Sequence, residues 1–393
     1  MAAGSLSWSI SLLVAAVVAG VLIRARRGCE SSDESACVRV VANGGAATDV
    51  LCTISLEKDE HWRRTLRRSL PHARTIELWS DGGELLLRAS TTDAVGSPPE
   101  ALARALAVAR ATGGVLYSVT DGFPFVWPQA AAGAKRSLTL ADGRTVELET
   151  VSSKPRVLVA DGVLDEAECD AIRRLAEPGL EADVTLVTGD GIEASLQETS
   201  RRTSKSALLT TPTAAAAGTD GAVLRSVRER IASLVRQHAL VAERMQVVRY
   251  RPGQHYHYHM DTGQDSPWTV RFATALIYLN GGYGGGETNF PVTEETRSAG
   301  PLGRLRDRLL PLTRNEKFIR MDYNNCQTAR GLTLSARPGR VALFYNTLPS
   351  SFDPDFYAWH GGCDVSEGEK WVANLWYNFG NLRNLTAALA AEG

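Results

Sequence analysis

Four of the seven histidines fall at positions 255, 257, 259 and 360, and Asp261 follows the third of them by two residues. Along an extended strand, residues two apart project to the same side, so His259 and Asp261 can reach one metal ion together. A third ligand must come from a distant segment, and His360 is the one histidine beyond the cluster. Two imidazoles and one carboxylate on one face of an octahedron leave three positions open, a donor set that suits non-haem Fe(II) and oxygen chemistry. Parity alone does not choose within the triplet, because His255, His257 and His259 all share a face with Asp261. Only His259 has the carboxylate at the adjacent same-face position. A three-histidine zinc site is the competing arrangement, and it would supply a Lewis acid or a hydroxide instead of an oxygen activator.

These residues need a rigid support, and the flanking sequence predicts one. MQVVRYR, VRFATALIYL, RVALFYN and WVANLWYNF are rich in β-branched and aromatic residues and read as strands with no helices between the later ones. Upstream, LDEAECDAIRRLAEP reads as a helix with Asp165 as N-cap and Pro178 beyond its end. A second helix, DGAVLRSVRERIASLVRQHA, places Val223, Val227, Ile231, Leu234 and Val235 on one stripe. SLTLADGRTVELE alternates around Asp142 and Gly143 as a hairpin does. Helices packed on consecutive strands imply an antiparallel sandwich or barrel within an α+β chain. Residues 292–317, with prolines, glycines and five arginines, form a long insertion read as a solvated loop.

Several separated pieces agree on one identity. YRPGQHYHYHMD (250–261), RFATALIYLN (271–280), GGETNFP (285–291), RPGRVALFYN (337–346) and WHGGCDVSEGEKWVANLWYNF (359–379) resemble, in order and spacing, the 2-oxoglutarate and Fe(II) dependent prolyl 4-hydroxylase family. KPRVLVADGVLDEAECDAIRRLA and ETSRRTSKSALL look like that family's entry strand, first helix and RTS segment. The resemblance spans about residues 137–380, with a double-stranded β-helix (jelly-roll) core at about 243–380. It implies His259, Asp261 and His360 as iron ligands, and Lys370 as the partner of the distal carboxylate of 2-oxoglutarate. It implies Tyr250 and Thr288 as hydroxyl partners of that carboxylate, and Tyr256, Arg271 and Trp376 as the residues holding a proline-containing peptide. The implied reaction couples decarboxylation of 2-oxoglutarate to succinate and CO2 with hydroxylation of proline at C4, using O2, with L-ascorbate sustaining the iron. Another 2-oxoglutarate oxygenase with a different target, and a non-catalytic binder of Pro-rich chains, are the alternatives.

Composition bounds the rest. With 43 Lys plus Arg against 44 Asp plus Glu in 393 residues, no global field exists to hold nucleic acid. The six cysteines never fall in CxxC, which excludes a zinc ribbon and a thioredoxin-type pair. Leu6 to Ile23 is an uncharged apolar run closed by Arg24, Arg26 and Arg27, read with residues 1–27 as a membrane anchor or uncleaved signal. The arginines would favour the cytosol by the positive-inside rule. The family resemblance implies instead a single-pass endoplasmic reticulum or Golgi membrane protein with a lumenal catalytic domain. Residues 28–36 read as a tether, residues 37–122 as a small α/β module without a chemical motif, and FPFVWPQAAAGAK as a linker.

Overall fold

The computed structural model describes residues 37–55, 61–90, 107–109, 111, 114–182, 202–211, 218–262, 269–294 and 331–392. The apolar segment read as an anchor, the tether 28–36 and nearly all of the insertion 292–317 lie outside these residues. Among the described residues, no helix is long and apolar enough to cross a membrane. The chain divides into two compact units, Met1–Gln129 and Ala130–Gly393.

The first unit is built on β1 (Cys37–Ala42), β2 (Val50–Ser55), β3 (Thr75–Trp79), β4 (Leu85–Ser90) and β5 (Val115–Thr120), in the order β2-β1-β5-β3-β4. Only the β1–β5 pair is parallel; the rest are antiparallel. Helix α1 (His61–Ser69) adds Leu66 to a core of Val38, Val40, Ile54, Leu78 and Leu116. This agrees with the α/β reading, but the stretch after residue 122 is no linker. Phe125, Val126 and Trp127 are buried, and the buried Asn43 donates through Nδ2 to Pro124 O while its Oδ1 accepts from the Val126 amide. Three large apolar side chains and a satisfied amide bind this stretch to the first unit.

The second unit opens with the expected hairpin, β6 (Lys135–Thr139) and β7 (Thr145–Ser153), whose turn uses Gly143 at a positive φ of 85°. It continues through β8 (Arg156–Ala160), α2 (Glu166–Ala176), β9 (Glu181–Ala182), β10 (Lys205–Leu209), α3 (Thr219–Val235), β11 (Met245–Tyr250) and β12 (Tyr256–His259). Then come β13 (Arg271–Tyr278), β14 (Gly284–Gly285), β15 (Thr288–Phe290), β16 (Leu332–Leu334), β17 (Val341–Tyr345), β18 (His360–Gly362), β19 (Val365–Glu367), β20 (Lys370–Asn378) and α4 (Phe379–Glu392). Nine strands form a major sheet in the order β6-β7-β8-β17-β13-β20-β11-β10-β9, and four form a minor sheet, β12-β18-β15-β16. Every pairing in both is antiparallel. Val248, Leu276, Phe344 and Val372 of the major sheet share one core cluster with Phe290 and Leu334 of the minor sheet. The two sheets therefore enclose a common interior, as an antiparallel sandwich requires.

Helices α2 and α3 pack on each other, and their junction is polar. Asp165 caps α2 through a capping box with Glu168. Glu168 then meets Arg230 of α3, whose side chain is 2% exposed and lies 2.9 Å from Asp142 and 2.5 Å from Glu168. Arg230 also donates to Val163 O. Burial pushes the Glu168 carboxyl upward, yet the Arg230 guanidinium and the Asp165 amide outweigh it and hold the acid below its ordinary value. Replacing a buried partner strands the opposite charges at a cost of about 3–5 kcal/mol, less here because Asp142 and Glu168 keep some solvent. Arg230→Met is expected to lower stability by roughly 2–3 kcal/mol in urea denaturation at pH 7. Since the folded Glu168 value is depressed, the pair stabilises above the ordinary carboxylate range and loses its effect as pH falls through the folded value. The gap between wild type and Arg230→Met should therefore narrow on acidification.

Candidate active site

Strand register brings the distant histidines together. In the minor sheet His259 of β12 is the direct cross-strand partner of His360 of β18, and their ring centroids lie 4.5 Å apart. Asp261 follows two residues after His259, past the end of β12, and turns its carboxylate to the same point. Oδ1 lies 3.4 Å from His259 Nε2 and Oδ2 lies 3.8 Å from His360 Nε2. One ligand atom from each of the three can be chosen so that all lie within 4.8 Å of one another. Of the histidine triplet, His259 is the member that stands with Asp261 and His360. His255 and His257 stack on each other at 4.6 Å, and His255 pairs with Asp364, outside the cluster.

Protonation and tautomer both prepare the cluster. His259 Nδ1 sits 2.8 Å from His257 O and His360 Nδ1 sits 2.9 Å from Ala358 O. Each carbonyl can accept an Nδ1 proton, which fixes the ring with Nε2 turned toward Asp261. Burial lowers His360 to about 4, so its imidazole is neutral at pH 7. Burial also disfavours the Asp261 anion, but His360, the hydrogen bond from His259 and the hydroxyl of Thr274 together hold it well below the ordinary carboxylate range. Two imidazole nitrogens and one carboxylate oxygen fit a divalent first-row metal.

A second buried feature faces the same cavity of about 670 Å³. Lys370 opens β20 directly across from Tyr250 of β11, and its ammonium stands 5.0 Å above the tyrosine ring. It is 3% exposed, and desolvation lowers it to about 8, opposed by the field of Glu287. A Cβ placed on Gly362 would come within 3.4 Å of Lys370 Nζ. Thr288 of β15 also lines the cavity, its Oγ1 accepting from the Tyr278 hydroxyl at 2.9 Å. That leaves the Thr288 proton free to donate elsewhere. A buried ammonium in a cavity also lined by Tyr250 and Thr288 fits the carboxylate of an acidic co-substrate.

The mouth of the cavity holds the residues expected to grip a peptide, and the structure shows what holds them. The period of two along β20 turns Lys370, Val372, Asn374, Trp376 and Asn378 toward the cavity. Arg271 lies 3.8 Å over the Trp376 ring and is clamped to Glu243 by two 2.8 Å hydrogen bonds. The buried Trp376 Nε1 has no acceptor among the described residues. Tyr256 stacks on His259 at 3.7 Å and carries Arg202 on its ring at 4.7 Å. Glu243, Thr274, Asn374 and Gln246 were not anticipated. Asn374 could have been found from parity with Lys370 and Trp376; Glu243 carries no local signal because it lies between α3 and β11.

Residues 245–378 match the family described as the 2OG-Fe(II) oxygenase superfamily. Over 234 residues the chain is 32% identical to Probable prolyl 4-hydroxylase 4 of Arabidopsis thaliana, covering 58% of this chain and 70% of that protein. It is 33% identical over 181 residues to the Transmembrane prolyl 4-hydroxylase of Homo sapiens, covering 40% of this chain and 34% of that protein. A solved structure of the viral collagen prolyl hydroxylase vCPH from Paramecium Bursaria Chlorella virus-1, in its 2OG complex, aligns with 22% identity and a TM-score of 0.36, covering 56% of this chain and 94% of that one. Taken with the His-Asp-His cluster and the buried lysine, this places the chain in the prolyl 4-hydroxylase-like family of 2-oxoglutarate and Fe(II) dependent oxygenases.

Proposed function

We propose that the protein is a dioxygenase that hydroxylates peptidyl proline at C4 with Fe(II), 2-oxoglutarate and O2, releasing succinate and CO2. The observation that carries this reading is a cluster of His259, Asp261 and the buried His360 facing one cavity with the buried ammonium of Lys370. His259, Asp261 and His360 hold the metal, which supplies oxygen activation when bound. Lys370 binds the distal carboxylate of 2-oxoglutarate, with the hydroxyls of Tyr250 and Thr288 as further donors. Glu243 fixes Arg271, which stacks on Trp376 and leaves the indole N–H to meet a peptide carbonyl, while Tyr256 walls the cavity beside His259. Ascorbate belongs to this reading as the reductant that restores the iron between turnovers.

Location follows from two features. Cys363 is disulfide-bonded, whereas Cys52 and Cys169 are buried thiols raised by desolvation to about 11. A disulfide three residues from His360 suits an oxidising compartment, and the apolar run 6–23 suits a membrane anchor. The endoplasmic reticulum or Golgi membrane, with a lumenal catalytic unit, satisfies both. In intact microsomes the catalytic unit is expected to resist added protease until detergent is supplied; digestion without detergent would reverse the topology.

With the full chain, Fe(II), 2-oxoglutarate, ascorbate, O2 and a proline-rich peptide, succinate release should be stimulated by peptide and accompanied by one added oxygen on proline. His259→Ala is expected to abolish both, while His257→Ala retains most of them. Succinate release that depends on His259 but ignores peptide would keep the oxygenase and reject the substrate.

Lys370→Ala should raise the Michaelis constant for 2-oxoglutarate about 10- to 100-fold, the loss of a charge-assisted hydrogen bond of about 1.5–3 kcal/mol. Iron binding should survive. Because the free-enzyme ammonium titrates at about 8 and only the protonated form attracts a carboxylate, wild-type affinity for 2-oxoglutarate should fall as pH rises above that value. In Lys370→Ala this dependence should vanish.

A further inference from the structure

The surroundings of Asp261 contain a hydrogen-bond chain that the ligand set itself does not require. Thr274, 1% exposed on β13, places Oγ1 2.7 Å from Asp261 Oδ2. Asn346, fully buried just past β17, places Nδ2 2.9 Å from the same Oγ1. The protons in this chain can run only one way. An amide NH2 donates and never accepts, so Thr274 accepts from Asn346 and has its single proton left for Asp261. The opposite amide orientation would set two acceptors before that one proton. The main chain that carries Asn346 is fixed, its backbone N–H donating to Phe272 O at 2.9 Å and its backbone carbonyl accepting from Asp355 N at 2.8 Å. Its Oδ1 has no partner among the described residues, while its NH2 orients Thr274.

We propose that Thr274, oriented by Asn346, is a positioning residue that keeps Asp261 a one-oxygen metal ligand. The hydroxyl occupies Oδ2 and leaves Oδ1, the oxygen nearer His259 Nε2, for the metal. This inference rests on reading the cluster as the iron site. Its consequence is coordinative: three protein donors leave three open positions, whereas a carboxylate binding through both oxygens leaves two. Two positions do not accommodate a two-point co-substrate and dioxygen together.

The test is titration of the full chain with Co(II), followed by calorimetry and by visible absorption, which reports coordination number. Wild type should bind one Co(II), and His259→Ala should not. Thr274→Val is isosteric and lacks the hydroxyl; it should bind Co(II) about tenfold more weakly, within the range typical of residues that orient ligands, and with an altered visible spectrum. Thr274→Ser keeps the hydroxyl and should restore both affinity and spectrum. If Thr274→Val matches wild type in both, or if Thr274→Ser is changed as much as Thr274→Val, the inference fails. Circular dichroism checks folding, and Thr274→Cys, with a weaker donor, takes the place of valine under the same criteria should the valine variant not fold. Failure of the underlying site reading looks different, since wild type would then bind no Co(II) or would bind it independently of His259.

Discussion

A carboxylate sealed from water beside two imidazoles sets the terms for everything near it. Burial alone would protonate Asp261, and a protonated acid is a poor metal ligand. The cluster resolves this by surrounding Asp261 with His360, His259 and the Thr274 hydroxyl, which together hold it ionised. The same burial works in the opposite sense on His360, lowering it to about 4 and leaving a neutral imidazole. Burial thus favours the neutral form of His360, the form in which an imidazole can bind a cation. The backbone carbonyls of His257 and Ala358 then choose the tautomers, so that no reorganisation is needed when a cation arrives.

That arrangement depends on strand register more than on loops. His259 faces His360 across the minor sheet, and Tyr250 faces Lys370, as Thr274 faces Trp376, across the major sheet. A one-residue slip of β20 would turn Lys370 and Trp376 out of the cavity and Trp371 and Leu375 into it. The register is held by apolar contacts that share the same strands, since Val248, Leu276, Phe344 and Val372 fill the core cluster beside the site. Core packing and site geometry are therefore not separable properties of this unit.

Much of this was legible in the sequence. Parity put His255, His257 and His259 on one face with Asp261, and the family resemblance pointed to Lys370 and Trp376 on the strand KWVANLWYN. Other residues could not be read in the same way. VRFATALIYL is buried on both faces, so its near-continuous apolar run hides the parity that would single out Thr274. Asn346 reads as an ordinary strand end, and its role arises only where β17 and β13 lie side by side. On α3 the stripe was nearly right, with Leu224 buried more fully than Val223. The buried Arg228 and Arg230 were invisible to periodicity because their partners are carbonyls and carboxylates from other segments. The tail of the first unit was misread for a similar reason, since FPFVWP resembles a linker until Asn43 supplies its hydrogen bonds.

The two ends of the cavity differ in charge, and the difference bears on what each can hold. At the inner end Lys370 has no acceptor within hydrogen-bonding reach among the described residues, only the field of Glu287, so it retains its attraction for a carboxylate. At the mouth the guanidiniums are already engaged. Arg271 is neutralised by Glu243, and Arg202 bonds Ser204 and Gln246 while lying on Tyr256. An arginine whose fork is spent on a neighbouring carboxylate offers its planar face and its stem rather than its charge. In the proposed reading the end with Lys370 takes the anion, and the aromatic faces and amide groups at the other end meet an uncharged ring on a peptide backbone. A molecule built this way separates an acidic co-substrate from a neutral side chain by electrostatics before shape is considered.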